Sequence, residues 1–191
     1  MQPTEILMNE HRIIEQVLAC LEKMAEQCEA SQTLDVEAVE AAIDFFRGFA
    51  DRCHHGKEED LLFPAMESKG FSPEQGPTGV MRHEHDEGRH HVAALEKSLA
   101  MLPDDKTAAC TAFIQHARAF VKLLREHIEK EDHCLFPMAN QALAATEQQL
   151  LLRAFHDVDD RDVGPATRVQ YIAIANKLAD QFGIARVDVA Q

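Results

Sequence analysis

Apolar residues recur along this chain at alternating steps of three and four. The cleanest run is Met81, His85, Gly88, Val92, Leu95, Leu99 and Leu102, spaced 4-3-4-3-4-3. That rhythm marks the core-facing seam of a packed α-helix. The same seam reads Leu7, His11, Ile14, Leu18, Leu21, Ala25 and Cys28 in a first segment, and Ile43, Phe46, Ala50, His54, Glu58, Leu61 and Ala65 in a second. A fourth segment gives Phe113, Ala117, Phe120, Leu124, His127, Glu131, Cys134 and Met138. Polar or turn-forming stretches separate them: Ser31 to Asp35, Lys69 to Thr78, and Pro103-Asp104-Asp105. The pattern predicts helices over roughly 4–29, 35–68, 78–102 and 104–142. A fifth helical stretch starts after Thr146, breaks around Asp157 to Pro165 and resumes to about Phe182. The predicted fold is all-α: an antiparallel up-down-up-down four-helix bundle over 1–145, with a C-terminal helical cap over 146–191 packed on it.

Composition agrees with helix. Ala, Leu, Glu and Gln dominate, Trp is absent and there is one Tyr. The net charge of -14 disfavours nucleic acid and anionic membranes as partners. No stretch has the length of a membrane helix, and the N-terminus carries no export signal. Five cysteines lie scattered without CxxC pairs, which fits reduced thiols in a cytoplasm and mostly core-filling roles. Cys53 and Cys134 flag themselves by lying beside the motifs described next.

Each seam has polar intruders of one kind: His11; His54 with Glu58; His85; His127 with Glu131. In an up-down-up-down bundle all four histidines fall near one end, roughly 18 to 24 residues, or about 27–36 Å, from the far loops. His55, His83, His90, His91, His116 and His133 fall off the seam, so replacing His55, His83 or His133 is expected to leave metal content unchanged. A lone seam histidine is usually a hydrogen-bonded core residue. Four at one level with two carboxylates are not, because buried carboxylates need a compensating cation. Four imidazoles and two bridging carboxylates supply eight donor atoms, enough for two metals with open positions. Nitrogen and oxygen donors suit Fe or Mn, with Zn as a further candidate. Ala50, Phe120, Leu124, Val92 and Leu18 are expected to fill the seam above the site. That leaves room for diatomic ligands or peroxide rather than organic substrates. Gly88 either makes room near the metals or allows close packing.

The two acidic motifs repeat each other. HHGKEEDLLFP begins at His54 and HIEKEDHCLFP begins at His127, and both read His, three residues, Glu, four residues, Phe-Pro. With EHR around His11 and EHDEGR around His85, these phrases resemble the hemerythrin-like HHE cation-binding family over about residues 4–142. The resemblance implies a four-helix bundle around a non-haem di-iron (Fe-O-Fe) centre. It assigns His11, His54, His85 and His127 as ligands and Glu58 and Glu131 as bridges. Oxygen-carrying members have a second histidine four residues after the third-helix ligand, where this chain has Arg89. Their last carboxylate would fall on Asp132, whereas Glu131 fits the seam. The four-His, two-Glu set is similar to bacterial members associated with oxygen, peroxide or nitric oxide chemistry and with repair of iron centres. Two classes therefore stay open: a centre that binds or senses O2, NO or peroxide or handles iron, and an enzyme that reduces or disproportionates such a ligand. Arg89 is read as a surface salt-bridge residue, with a donor to a bound anion or peroxide as the alternative. Each Phe-Pro is expected to end the ordered face or kink the helix, with the Phe packing the bundle floor.

Overall fold

The computed structural model describes residues 2–158 and 164–188, which form six helices and no strand. Helix α1 is Pro3–Ser31. It starts where Glu5 folds back to accept the Gln2 N–H at 2.7 Å, with Pro3 in the first turn. Helix α2 runs unbroken through Val36–Phe45, Phe46–His55, Glu58–Leu62 and Phe63–Glu67. Helix α3 is Pro77–Met101. Helix α4 is Lys106–Lys130, continuing through Glu131–Leu135 and Phe136–Ala142. Asp35 and Asp105 cap α2 and α4 by accepting the Ala38 and Ala108 N–H groups at 3.1 and 2.9 Å. Helix α5 is Ala145–Val158 and helix α6 is Gly164–Phe182. The break expected around Asp157 to Pro165 falls largely on residues 159–163, outside the described residues.

Helices α1 to α4 form an antiparallel ring in which each touches the next. Two apolar clusters fill it. The larger holds Ile14, Leu18, Phe46, Phe49, Phe113, Phe120 and Leu124. The smaller holds Leu7, Leu62, Phe63, Met66, Met81 and Phe136, closed by Leu151 and Phe155 of α5. Helix α6 lies against α1 and α2 and adds Ala175, Leu178 and Ala179 to the larger cluster. It seats on Gly48, where a Cβ would fall 1.8 Å from the Tyr171 Oη, so any side chain there would push the Tyr171 ring out of its place. Among the described residues no helix is long and apolar enough to cross a membrane.

The Phe-Pro pairs end the ordered face of the seam without ending their helices. Pro64 and Pro137 have no N–H to give the carbonyl four residues back, and their rings crowd it. The preceding turn widens instead to π-helical winding: the Phe63 N–H reaches Glu58 O and the Phe136 N–H reaches Glu131 O, each five residues back. A turn with an extra residue shifts the seam by one. Beyond Glu58 the buried positions are Leu62 and Met66, not Leu61 and Ala65. Beyond Glu131 they are Leu135 and Ala139, while Cys134 and Met138 are exposed.

A candidate dinuclear metal centre

Between the two apolar clusters lies one polar layer. His11, His54, Glu58, His85, His127 and Glu131 all meet there, each at most 1 % exposed. Glu131 Oε2 lies 3.1 Å from His11 Nε2 and 3.3 Å from His127 Nε2. The two oxygens of Glu58 lie 3.6 Å from His54 Nε2 and 3.5 Å from His85 Nε2. Each carboxylate thus faces one imidazole from each half of the layer. Yet both oxygens of Glu58, both of Glu131 and His11 Nε2 have no hydrogen-bond partner. Native interiors rarely leave such atoms unsatisfied, and a cation among them removes the cost.

The outer nitrogens are fully engaged. His11 Nδ1 is 2.7 Å from Asp132, His54 Nδ1 3.1 Å from Glu10, His85 Nδ1 2.6 Å from Glu59 and His127 Nδ1 2.9 Å from Glu84. Every one of these carboxylates meets a cation: Arg12 on Asp132, Lys57 and Arg168 on Glu10, Arg89 on Glu59, and Lys130 on Glu84. An imidazole that donates through Nδ1 to an anchored carboxylate presents its Nε2 lone pair inward, the arrangement that orients metal-bound histidine. The Phe of each Phe-Pro supports this. Phe136 stacks on His11 at 5.5 Å, and Phe63 on His85 at 5.9 Å.

Ligand atoms gather in two groups, each within 4.8 Å: His11, His54, Glu58 and Glu131; and His55, Glu58, His85 and His127. Glu58 belongs to both groups, and Glu131 of the first lies 3.3 Å from His127 of the second. His55, which the seam reading placed off register, is only 6 % exposed and stands in the second group. It lies on π-wound backbone, where more residues share each turn, so neighbouring His54 and His55 both face inward. The sequence signal available for it was the His-His pair upstream of the Phe-Pro. Distance alone would make His55 a fifth ligand, but ring orientation argues otherwise. The His11–His54 and His85–His127 ring planes cross at 58° and 64°, so one ion can lie in both planes of each pair. His55 instead lies flat on His85, at 3.8 Å and 12°. A metal sits in the plane of each imidazole that binds it, and two rings stacked face to face lie in offset planes that do not meet at one nearby ion. Of the other off-seam histidines, His83, His90 and His133 are exposed, and His91 and His116 are half-buried partners of each other.

The model of the hemerythrin HHE cation-binding domain matches residues 2–165. The chain belongs to the hemerythrin HHE family. It is 26% identical over 184 residues to an uncharacterized protein of Mycobacterium tuberculosis, Rv1995, covering 92% of this chain and 67% of that one. It is 36% identical over 89 residues to the iron-sulfur cluster repair protein YtfE of Dickeya chrysanthemi, covering 45% of this chain and 40% of YtfE. The YtfE of Escherichia coli is 32% identical over 88 residues. No solved structure matches significantly.

The HHE layer is electrostatically divided in its metal-free form. Burial, with Glu131 beside it, raises the Glu58 carboxyl well above its ordinary value. Burial also raises Glu131, but His127 and His11 outweigh it and hold that carboxyl well below. Burial lowers His54 to about 3, so it stays neutral and able to bind a cation. Protons thus stand where metal charge would otherwise be, and the two compete. No cysteine enters either group; Cys53 is buried and Cys134 exposed.

Proposed function

We propose that this HHE protein holds two non-haem iron ions and binds O2, NO or peroxide at them. The observation that carries the reading is four anchored imidazoles aimed at two buried carboxylates that have no hydrogen-bond partners of their own. His11 and His54 would hold one ion, His85 and His127 the other, with Glu58 and Glu131 shared. Imidazole and carboxylate without thiolate favours iron over a structural zinc. Bound iron would supply the ligand binding and the redox chemistry. The protein fixes each imidazole by its Nδ1 contact to a carboxylate so that Nε2 faces the ions, keeps two carboxylates between them, and excludes bulk water by burial. The net charge of -14 argues for a small ligand and against nucleic acid or anionic membranes as partner.

Metal analysis and an optical spectrum of the purified protein test this, followed by added NO and peroxide. Two irons per chain and spectral shifts with either ligand are expected. No metal, or a single zinc, would overturn it. A second reading, delivery of iron in repair of iron centres, draws on the similarity to YtfE. It predicts iron transfer to an apo iron-sulfur acceptor, with weak response to small ligands. Turnover of peroxide or NO would make the protein an enzyme of the same centre.

A further inference from the structure

The seam above the centre is not filled. A cavity of about 100 Å³ opens there, walled by Phe46, Ala50, Val92, Phe120 and Leu124. Its origin is visible across the bundle. Three and seven residues after His11, α1 places Ile14 and Leu18; after His85, α3 places Gly88 and Val92. A Cβ on Gly88 would meet only Phe120, at an ordinary 3.4 Å, so close packing does not require glycine there. The missing side chain leaves space.

The cavity has a polar lip and a polar lining residue. Arg47, Asp51 and Arg89 line the lip. Neither guanidinium is free to draw in an anion. Arg47 is paired bidentately with Glu96 at 2.8 and 2.7 Å, and Arg89 reaches Asp51, Asp86 and Glu59 at 2.8, 2.8 and 2.9 Å. The lining residue is His55, which stacks on His85 and has a ring nitrogen within 4.8 Å of the Glu58, His85 and His127 ligand atoms. Its Nδ1 lies 3.4 Å from Asp51 Oδ1. A neutral imidazole that donates through Nδ1 presents an acceptor at Nε2. O2 and NO have no hydrogen to offer it. A hydroperoxide does, and apolar walls suit a short alkyl group. Apolar cavities near this size stay dry and take up xenon or small hydrocarbons.

We propose that this cavity is a binding site for small neutral hydroperoxides, and that His55 is a positioning residue that accepts the ligand's O–H beside the His85–His127 ion. The inference rests on the two-ion reading above and narrows its ligand. It assigns His55 no metal.

Two experiments test it. In metal-free protein, xenon should shift the methyl resonances of Ala50, Val92 and Leu124, and Val92→Phe should abolish the shifts of Ala50 and Leu124. In iron-loaded protein, stopped-flow titrations compare ethyl hydroperoxide with NO. His55→Ala should raise the half-saturating hydroperoxide concentration about tenfold, the worth of one hydrogen bond, and leave NO binding unchanged. His55→Gln, whose amide oxygen accepts, should recover part of the loss, and both variants should keep their iron. Loss of iron on His55→Ala would make it a ligand and overturn the proposal. Equal weakening of NO and hydroperoxide, or xenon shifts that survive Val92→Phe, would also overturn it. If wild-type iron-loaded protein answers to no ligand while xenon still enters, the proposed function fails and the cavity stands as an apolar guest site.

Discussion

The α1–α2 half and the α3–α4 half of the bundle are two versions of one design. His11 answers to His85, and His54, Lys57, Glu58, Phe63 and Pro64 answer to His127, Lys130, Glu131, Phe136 and Pro137. The supports repeat as well. Glu10 from α1 holds His54 as Glu84 from α3 holds His127, and Glu59 holds His85 as Asp132 holds His11. The differences are where the halves could specialise. Residue 55 is His where its counterpart is Ile128, packed in the larger core cluster. Lys57 is fully buried under α6 with Arg168 beside it, while Lys130 is 43 % exposed. The centre itself keeps the symmetry of the repeat, and the access side and the covered side break it.

The largest test is of what the halves share. Glu58→Gln or Glu131→Gln should each cost both metals, weakening affinity by more than the roughly 10–100-fold typical of a supporting partner. Metal analysis of the variants decides; a variant that loses one ion and keeps the other would break the shared-carboxylate assignment. Next are the supports. Glu10→Gln and Glu84→Gln should each weaken metal binding within about 10–100-fold. The Glu10 change should cost more, because it removes a carboxylate from fully buried Lys57 as well as from Arg168, whereas Lys130 can turn to water. Equal losses in a chelator competition would mean that the cover over Glu10 is energetically idle.

A smaller effect concerns pH in the metal-free protein. Burial lowers His54 to about 3 and also lowers His55 and His85 from the ordinary 6.5. The unfolded chain takes up those protons first, so stability should fall as pH drops from about 6.5 toward 3. His127 runs the other way: burial lowers it, but Glu131 and Glu84 outweigh that and raise it to about 9. Its contribution should fade as pH rises from about 6.5 through 9. Melting temperatures from pH 4 to 9, with and without metal, check both limbs. A flat metal-free profile would contradict them. The smallest effect is Gly88→Ala, expected to stabilise by about 0.5–1 kcal/mol in denaturant unfolding, since the helix gains alanine and the site has room. Destabilisation would mean that Phe120 cannot yield there.

How far the sequence spoke is set by helical winding. While the backbone stays α-helical, a seam counted in threes and fours finds the core, and it brought His11, His54, His85 and His127 to one layer. It loses count at Glu58 and Glu131, where each proline forces a wider turn. Leu61 and Cys134 were therefore read in place of Leu62 and Leu135. His55 was missed for the same kind of reason, because ten residues of π winding bring it round to the inner face. The cavity is half legible: Gly88 offers room near the metals, but the seam pattern fills the space above the site with Ala50, Val92, Phe120 and Leu124, which line the cavity instead. The carboxylate supports were invisible for a different reason: Glu10, Glu59, Glu84 and Asp132 look like ordinary surface acids until the partner helix is in place.

Arg168 reaches from the last helix to Glu10 at 2.7 Å, and Glu10 holds His54. Two equilibria, occupancy of the centre and docking of α6, therefore share a common residue. Thermodynamic linkage makes that sharing reciprocal: whatever factor a docked helix adds to metal affinity, bound metal adds to the docking of the helix. Proteolysis can read it from one side, as slower cleavage near α6 in loaded protein. Chelation can read it from the other, as faster metal loss in Arg168→Leu. Agreement of the two factors would make the C-terminal helix a gauge of whether the centre is full.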